Sequence, residues 1–175
     1  MKFSAPLLSL ALALSATATP TPIQRDLASI QSAISNIATA VNALDAAEKA
    51  YTGGDITTLQ NDFDAVVAAT SAGAAVANAS GDLSNLDAVR LISPIQNLTT
   101  DIKNAISAII AIKPAVVAAG SQTQILNDLT LQNTSATALA KAINSKVPVS
   151  LQNTAASLAA GITNAIQQGV DAYSN

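Results

Sequence analysis

Leu27, Ile30, Ile34, Ile37, Val41 and Leu44 step forward by 3, 4, 3, 4 and 3 residues. That spacing lays six aliphatic side chains along one face of an α-helix, where they can be buried only against other apolar faces. A lone helix of this kind gains too little from its own hydrogen bonds to persist in water, so the seam commits the chain to a packed helical assembly. Asp26 stands before the seam as the expected N-cap, and Gly53-Gly54 closes it after Tyr51.

The remaining seams follow the same period. Asp55 is placed to cap a second helix carrying Ile56, Leu59, Phe63, Val66 and Val67, whose later half, 68–79, is nearly all small residues around Gly73. Alanine favours helix but fills little space, so neighbouring helices must approach closely there or leave a gap. Ser80-Gly81-Asp82 is the next break, with Asp82 as cap for Leu83, Leu86, Val89 and Ile92. Ser93-Pro94-Ile95-Gln96 has the form of a fresh start, so Pro94 either kinks one helix or separates two. Leu98, Ile102, Ala105 or Ile106, Ile109 and Ile112 continue to Lys113-Pro114, and Val116 and Val117 add a turn before Gly120. Ser121 and Gln124 form a capping-box pattern ahead of Ile125, Leu129, Gln132, Ala136, Leu139 and Ile143, a seam with one polar member. Val147-Pro148 opens the last helix, with Leu151, Ala155, Leu158, Ile162, Ala165 or Ile166 and Val170 on its apolar face. No segment alternates with period 2. The expected fold is all-α, an up-and-down bundle of about five long amphipathic helices with short connections.

The first residues read as an address. Lys2, the apolar stretch Leu7 to Leu14 and the small-residue site Ala16-Thr17-Ala18 make residues 1–18 a secretory signal peptide. The stretch is too short for a hydrocarbon core of ~30 Å. Residues 19–25 form a short leader in which Arg25 offers a second trimming point, and 26–175 form one helical-bundle domain. No hydrophobic tail of the kind a GPI signal needs is present, so release as a secreted, extracellular domain is expected.

Composition then excludes most chemistry. The chain has no histidine, cysteine or tryptophan, which removes the usual general base, the strongest nucleophile and the commonest soft metal ligands. Ser-His-Asp and Cys-His arrangements are impossible. Asp62 and Asp64 flank Phe63 and point to different helical faces, while Asp45, Glu48 and Lys49 read as a charged face near a helix end. No carboxylate shows the burial that a general acid requires. An enzyme is therefore not expected, and neither a cofactor nor a metal is implied. Without Lys2, seven basic residues face eleven acidic ones, a net charge of −4, and the cations are scattered singly, so nucleic acid is not an expected partner. Three sequons, at Asn78, Asn97 and Asn133, are candidate glycan acceptors.

What remains is an aliphatic interior with Tyr51, Phe63 and Tyr173 as its only aromatics after the leader. Such a bundle can enclose an elongated channel for an acyl chain, or lay its seams on a hydrophobic surface. Candidate lining residues, chosen from the seams, are Ile34, Ile37, Phe63, Val67, Ile102, Ile106, Leu139, Ile143, Leu158 and Ile162.

The signal peptide, Arg25-Asp26 leading into the first seam, the turn Tyr51-Thr52-Gly53-Gly54-Asp55 and the late Lys146-Val147-Pro148 together resemble the fungal hydrophobic surface-binding protein A family, which includes cell-wall galactomannoproteins. The resemblance spans nearly the whole chain after the leader. It implies a secreted, non-enzymatic protein that binds hydrophobic surfaces or lipids, with fatty acids in the bundle interior as one form and recruitment of secreted esterases as another. The alternative is a structural wall mannoprotein with no specific ligand.

Overall fold

The computed structural model describes residues 22–175, with side chains from Asp26 onward. The expectations for the signal peptide and for a cut after Ala18 lie outside the described residues. Six α-helices follow one another: α1 (Pro22–Ala50), α2 (Thr57–Ala79), α3 (Asn85–Ala111), the short α4 (Lys113–Ala118), α5 (Gln122–Lys146) and α6 (Gln152–Ser174). A 3-10 turn, Val149–Leu151, leads into α6. Five of the six are long, as the seams predict.

These five close into a ring. Helix α1 packs on α2 and α3, α2 on α5, α5 on α6, and α6 on α3. Contacts at the two ends fix the directions. At one end Asp26 of α1 meets Gly81, Leu83 meets Lys146, and Asn85 meets Ser150. At the other, Tyr173 of α6 meets Ile109 of α3, and Gln122 of α5 meets Tyr173. Helices α1, α3 and α6 thus run one way, α2 and α5 the other. Consecutive long helices alternate in direction, yet α3 sits beside α1, so the link from α2 to α3 crosses the end of the bundle.

Several helix boundaries differ from the sequence reading. Asp26 does not cap α1, which begins at Pro22; its carboxylate accepts the Gly81 N–H at 3.1 Å and ties α1 to the end of α2. Arg25-Asp26 therefore lies inside the helix rather than before it. Asp55 does act at the start of α2, accepting from both the N–H and the hydroxyl of Thr57, which hold its carboxyl below the usual range. The cap of α3 is Ser84, not Asp82: Ser84 Oγ accepts the Asp87 N–H and donates to Asp87 Oδ2 at 2.6 Å. Serine can both accept and donate here, and the carboxylate three residues on completes the pair. Pro94 lies within one continuous α3, so Ser93-Pro94 starts no helix; the proline leaves the Arg90 carbonyl without its helical donor. At Ser121 no side-chain cap forms, and its hydroxyl turns to the Ala119 carbonyl. Gly120 ends α4 at φ 71°, a conformation that favours glycine.

The small-residue half of α2 resolves both ways. On its inner side Gly73 comes so close to the bundle that an added Cβ would lie 3.2 Å from Ile37 Cδ1 and 3.5 Å from Leu139 Cδ1. On its outer side the same residues leave a shallow groove between α1 and α2, floored by Ala33, Ala69 and Ala72.

Candidate functional site

The interior is packed at one end and hollow at the other. Toward the Tyr173 end, Leu44, Leu59, Phe63, Ile109, Ile125, Leu129 and Tyr173 are all at most 1% exposed and fill the cross-section. Gly169 lets α6 approach there, its Cα lying where an added Cβ would meet Leu129 Cδ2 at 3.1 Å and Ile106 Cδ1 at 3.2 Å. One turn nearer the opposite end, the aliphatic and small side chains no longer meet. A cavity of about 50 Å³ opens on the bundle axis, with walls from all five long helices. Its lining includes Ile34, Ile37 and Val41 of α1, Val66 and Thr70 of α2, Leu98 and Ile102 of α3, Leu139 and Ile143 of α5, and Ala159, Ile162 and Ile166 of α6.

Three polar side chains reach this lining. Thr70 spends its hydroxyl on the Val66 carbonyl at 2.7 Å. Gln132, 3% exposed, and Asn144 each hold an amide oxygen that is buried without a hydrogen-bond partner among the described residues. Buried amides with spare hydrogen-bonding capacity carry a cost that a polar ligand group can relieve.

A second, smaller hollow of about 20 Å³ shares Ile95, Ile143 and Ala155 with the first. It extends toward the start of α6 between Ala88, Leu91 and Ile92 of α3, Val147 and Leu151, and Thr154 and Leu158. The two form one apolar passage that runs under the first half of α6. None of the residues from Leu151 to Asn164 is buried, whereas Ala165, Ile166, Gly169 and Tyr173 beyond them are. Helix α6 is thus anchored at its C-terminal half and lies lightly over the passage with its N-terminal half.

Of the ten lining candidates, Ile34, Ile37, Ile102, Leu139, Ile143 and Ile162 line the axial cavity, and Leu158 lines its extension. Phe63 and Ile106 are buried in the solid end instead. Val67 is half-buried on the flank of α2, and Val66, about 100° round the helix, takes the inward place. Gln132, the polar member of its seam, was legible as an oddity but not as a cavity residue. Ala155 and Ala159 carried no signal, because alanine marks neither face.

The charged face expected at Asp45, Glu48 and Lys49 is only partly one. Lys49 and Asp45 pair at 2.6 Å on the surface. Glu48 is 1% exposed, with both carboxyl oxygens unpartnered among the described residues. Burial, with Asp45 and Asp62 adding repulsion against the attraction of Lys49, pushes its pKa up to about 9. This buried acid contradicts the reading of every carboxylate as solvated or capping; period 3.6 puts Glu48 one turn beyond Leu44, on the inward face. It lines none of the cavities above.

At the sequons, Asn78 and Asn97 are exposed on α2 and α3. Asn133 is half-buried and donates from Nδ2 to Gln167 Oε1 at 2.8 Å, a bond that a glycan would replace. Among the described residues no helix is long and apolar enough to cross a membrane, and no three acidic side chains gather as a metal site.

Five long helices closed into a ring around an apolar interior define the class of all-α bundle. The family model described as Hydrophobic surface binding protein A matches residues 27–145, and the chain belongs to that family. It is 40% identical over 173 residues to Cell wall mannoprotein 1 of Aspergillus fumigatus, covering 99% of this chain and 60% of that protein. Cell wall mannoprotein 1 of Aspergillus flavus is 41% identical over 151 residues, 86% of this chain and 55% of that one. The chain therefore spans little more than half the length of these relatives. Among solved structures, ligand binding domain 1 of the Penicillium marneffei MP1 protein complexed with arachidonic acids matches with a TM-score of 0.84 and 30% identity, over 86% of this chain and all of that domain. AFMP4P in complex with palmitic acid matches at 0.79 and 27% identity, over 84% and 99%.

Proposed function

We propose that this chain binds a long-chain fatty acid in the axial passage and acts as a lipid carrier or sink rather than an enzyme. The observation that carries the reading is an apolar cavity walled by all five long helices, adjoined by a second hollow, with unpartnered amide oxygens at Gln132 and Asn144. Fatty acids are the ligands named for the MP1 and AFMP4P domains, which supports the same chemistry here. The chain would lie among Ile34, Ile37, Ile102, Leu139, Ile143 and Ile162, and the free Gln132 and Asn144 amide oxygens can accept a hydrogen bond from the O–H of a protonated carboxyl group.

The cavity has room for a few water-sized molecules, each of which needs roughly 10–15 Å³. A chain of sixteen or more carbons therefore requires the walls to part. The lightly held half of α6 is the wall that can. Each methylene transferred from water contributes about 0.8 kcal/mol, a gain that offsets the cost of displacing that half-helix. Secretion, with removal of residues 1–18 and a glycan at Asn78 or Asn97, fits the same reading, as does a place at the cell wall shared with the mannoprotein relatives.

The test is displacement of a fluorescent fatty acid by palmitic acid, on the wild type and on Ala155→Trp. Ala155 is shared by both hollows, so an indole there fills the passage. Saturable binding at one or two equivalents, lost in the variant while helicity is kept, supports the proposal. Equal binding by both proteins, or none by the wild type, overturns it.

A further inference from the structure

Two buried acceptors stand toward opposite ends of the axial cavity, and a single carboxyl group satisfies only one of them. Gln132 and Asn144 both line the cavity from α5, and the side-chain oxygen of each is buried without a hydrogen-bond partner among the described residues. Helix α5 runs unbroken between them, so at 1.5 Å per residue they stand about 18 Å apart along the axis. Gln132 follows Leu129 by one turn, at the edge of the solid end. Asn144 follows Ile143, which lines both hollows, and so lies at the edge of the extension. Between the two amides α5 contributes only Ala136, Leu139, Ala140 and Ile143 to the lining. Thr70, the remaining polar side chain of this cavity, spends its hydroxyl hydrogen on the Val66 carbonyl at 2.7 Å and cannot supply the missing donor. Among the described residues no charged side chain lines either hollow.

We infer that the passage takes an acyl chain with a hydrogen-bond donor at both ends, of the class of the ω-hydroxy fatty acids, with one end on Gln132 and the other on Asn144. The inference rests on the acyl reading above and deepens it by naming the class of ligand. A free amide oxygen only accepts, so each end of the ligand must donate: the O–H of a protonated carboxyl group at one, the O–H of a terminal hydroxyl at the other. An ordinary aliphatic pocket rejects a terminal hydroxyl, because burying it without a partner is costly. An acceptor left free where the chain ends reverses that preference. The spacing fits a long chain. A carbon–carbon bond of ~1.52 Å, with an angle of ~111°, advances an extended chain by roughly 1.25 Å, so about fourteen bonds cover ~18 Å. Chains of about fourteen to sixteen carbons therefore reach both amides, and a chain of about ten cannot. Gln132 is 3% exposed and Asn144 half-buried, so the Gln132 oxygen is the costlier to leave unpaired. A ligand with one polar group spends it there and leaves Asn144 without a donor.

The experiment displaces a fluorescent fatty acid with palmitic acid and with ω-hydroxypalmitic acid, whose carboxyl groups ionise alike, on wild type and on Asn144→Leu. Wild type should bind the hydroxy acid several-fold more tightly than palmitic acid. Asn144→Leu should bind the hydroxy acid roughly tenfold or more weakly than wild type does, because the hydroxyl is then buried unpaired, and should bind palmitic acid within about twofold of wild type. ω-Hydroxydecanoic acid, too short to bridge the amides, should show no advantage over decanoic acid on wild type. A wild type that binds the hydroxy acid no better than palmitic acid overturns the inference and leaves the acyl reading intact. An advantage that survives Asn144→Leu, or that the short pair shows equally, does the same. Circular dichroism checks that the variant keeps its helicity; if it does not, the long and short pairs on wild type decide alone. A wild type that binds neither long acid fails the acyl reading and this inference with it.

Discussion

The phenol of Tyr173 donates a 2.8 Å hydrogen bond to the backbone carbonyl of Ile109, with both residues 0% exposed. The bond joins the last turns of α6 and α3 at the solid end of the bundle. Lys113 adds its ammonium to the Ala172 carbonyl at 2.6 Å, and Gln122 adds its amide to the Tyr173 carbonyl. With one end of α6 fixed so firmly, motion of that helix is confined to its other half, over the passage. Tyr173→Phe should therefore lower stability by about 1–2 kcal/mol in denaturant unfolding, the cost of a lost buried hydrogen bond. It should leave fatty-acid affinity within about twofold, because the bond lies far from the cavity lining.

Glu48 sets the pH dependence. Its folded form holds a proton up to about pH 9, while the unfolded chain releases that proton near 4.5. The stability linked to it is fully present below about pH 4.5 and is lost as pH rises toward 9. Asp128, raised to about 6 by burial and by the charge of Asp64, acts in the same direction over a lower range. Unfolding at pH 5 and pH 8 should show the wild type less stable at the higher value. Glu48→Gln, a neutral isostere, should be more stable than wild type at pH 8 and lose most of the slope above pH 6.

Two glycines of α6 should respond oppositely. A Cβ at Gly161 meets only Thr99 Cγ2, at 3.5 Å, an ordinary contact. Gly161→Ala should raise stability by roughly 0.5–1 kcal/mol through helix propensity alone and, by stiffening the half-helix over the passage, slow fatty-acid exchange in stopped flow. At Gly169 the space is taken by Leu129 and Ile106, so Gly169→Val should cost about 1–3 kcal/mol in the same unfolding measurement.

Gln132→Leu separates the polar contribution from the apolar one. The change removes a buried oxygen without a partner, so the ligand-free protein should gain up to about 1 kcal/mol. Calorimetric titration should show palmitic acid bound several-fold more weakly than by wild type, with hexadecane-like probes unaffected; each tenfold is about 1.4 kcal/mol.

The seams made the long helices legible, because burial enforces period 3.6 wherever an aliphatic face recurs. Boundaries were less so. Ser84 beat Asp82 to the cap through a reciprocal bond with Asp87, and several sequence-compatible caps compete at each break. The seam of α1 also pointed inward at Glu48, but a carboxylate on an apolar face reads as solvated until the neighbouring helices are in place. Cavity residues were half legible for a related reason. A seam identifies what faces the axis, and says nothing of the height at which side chains stop meeting. Ile37 and Phe63 are equivalent by pattern. The hollow begins only where Phe63, Leu129 and Tyr173 give way to Ala136, Ala155 and Ala159, the small residues a hydrophobic pattern passes over.

Isotope-labelled methyl NMR of the protein titrated with palmitic acid tests the acyl passage most directly. The account predicts saturable shifts at Ile34, Ile37, Ile102, Ile143 and Ile162, which line the cavity, with Ile56 and Ile125 at the solid end unmoved. Shifts confined to exposed Leu86, Val89 and Val149, or no saturable shift at the cavity isoleucines, would contradict it.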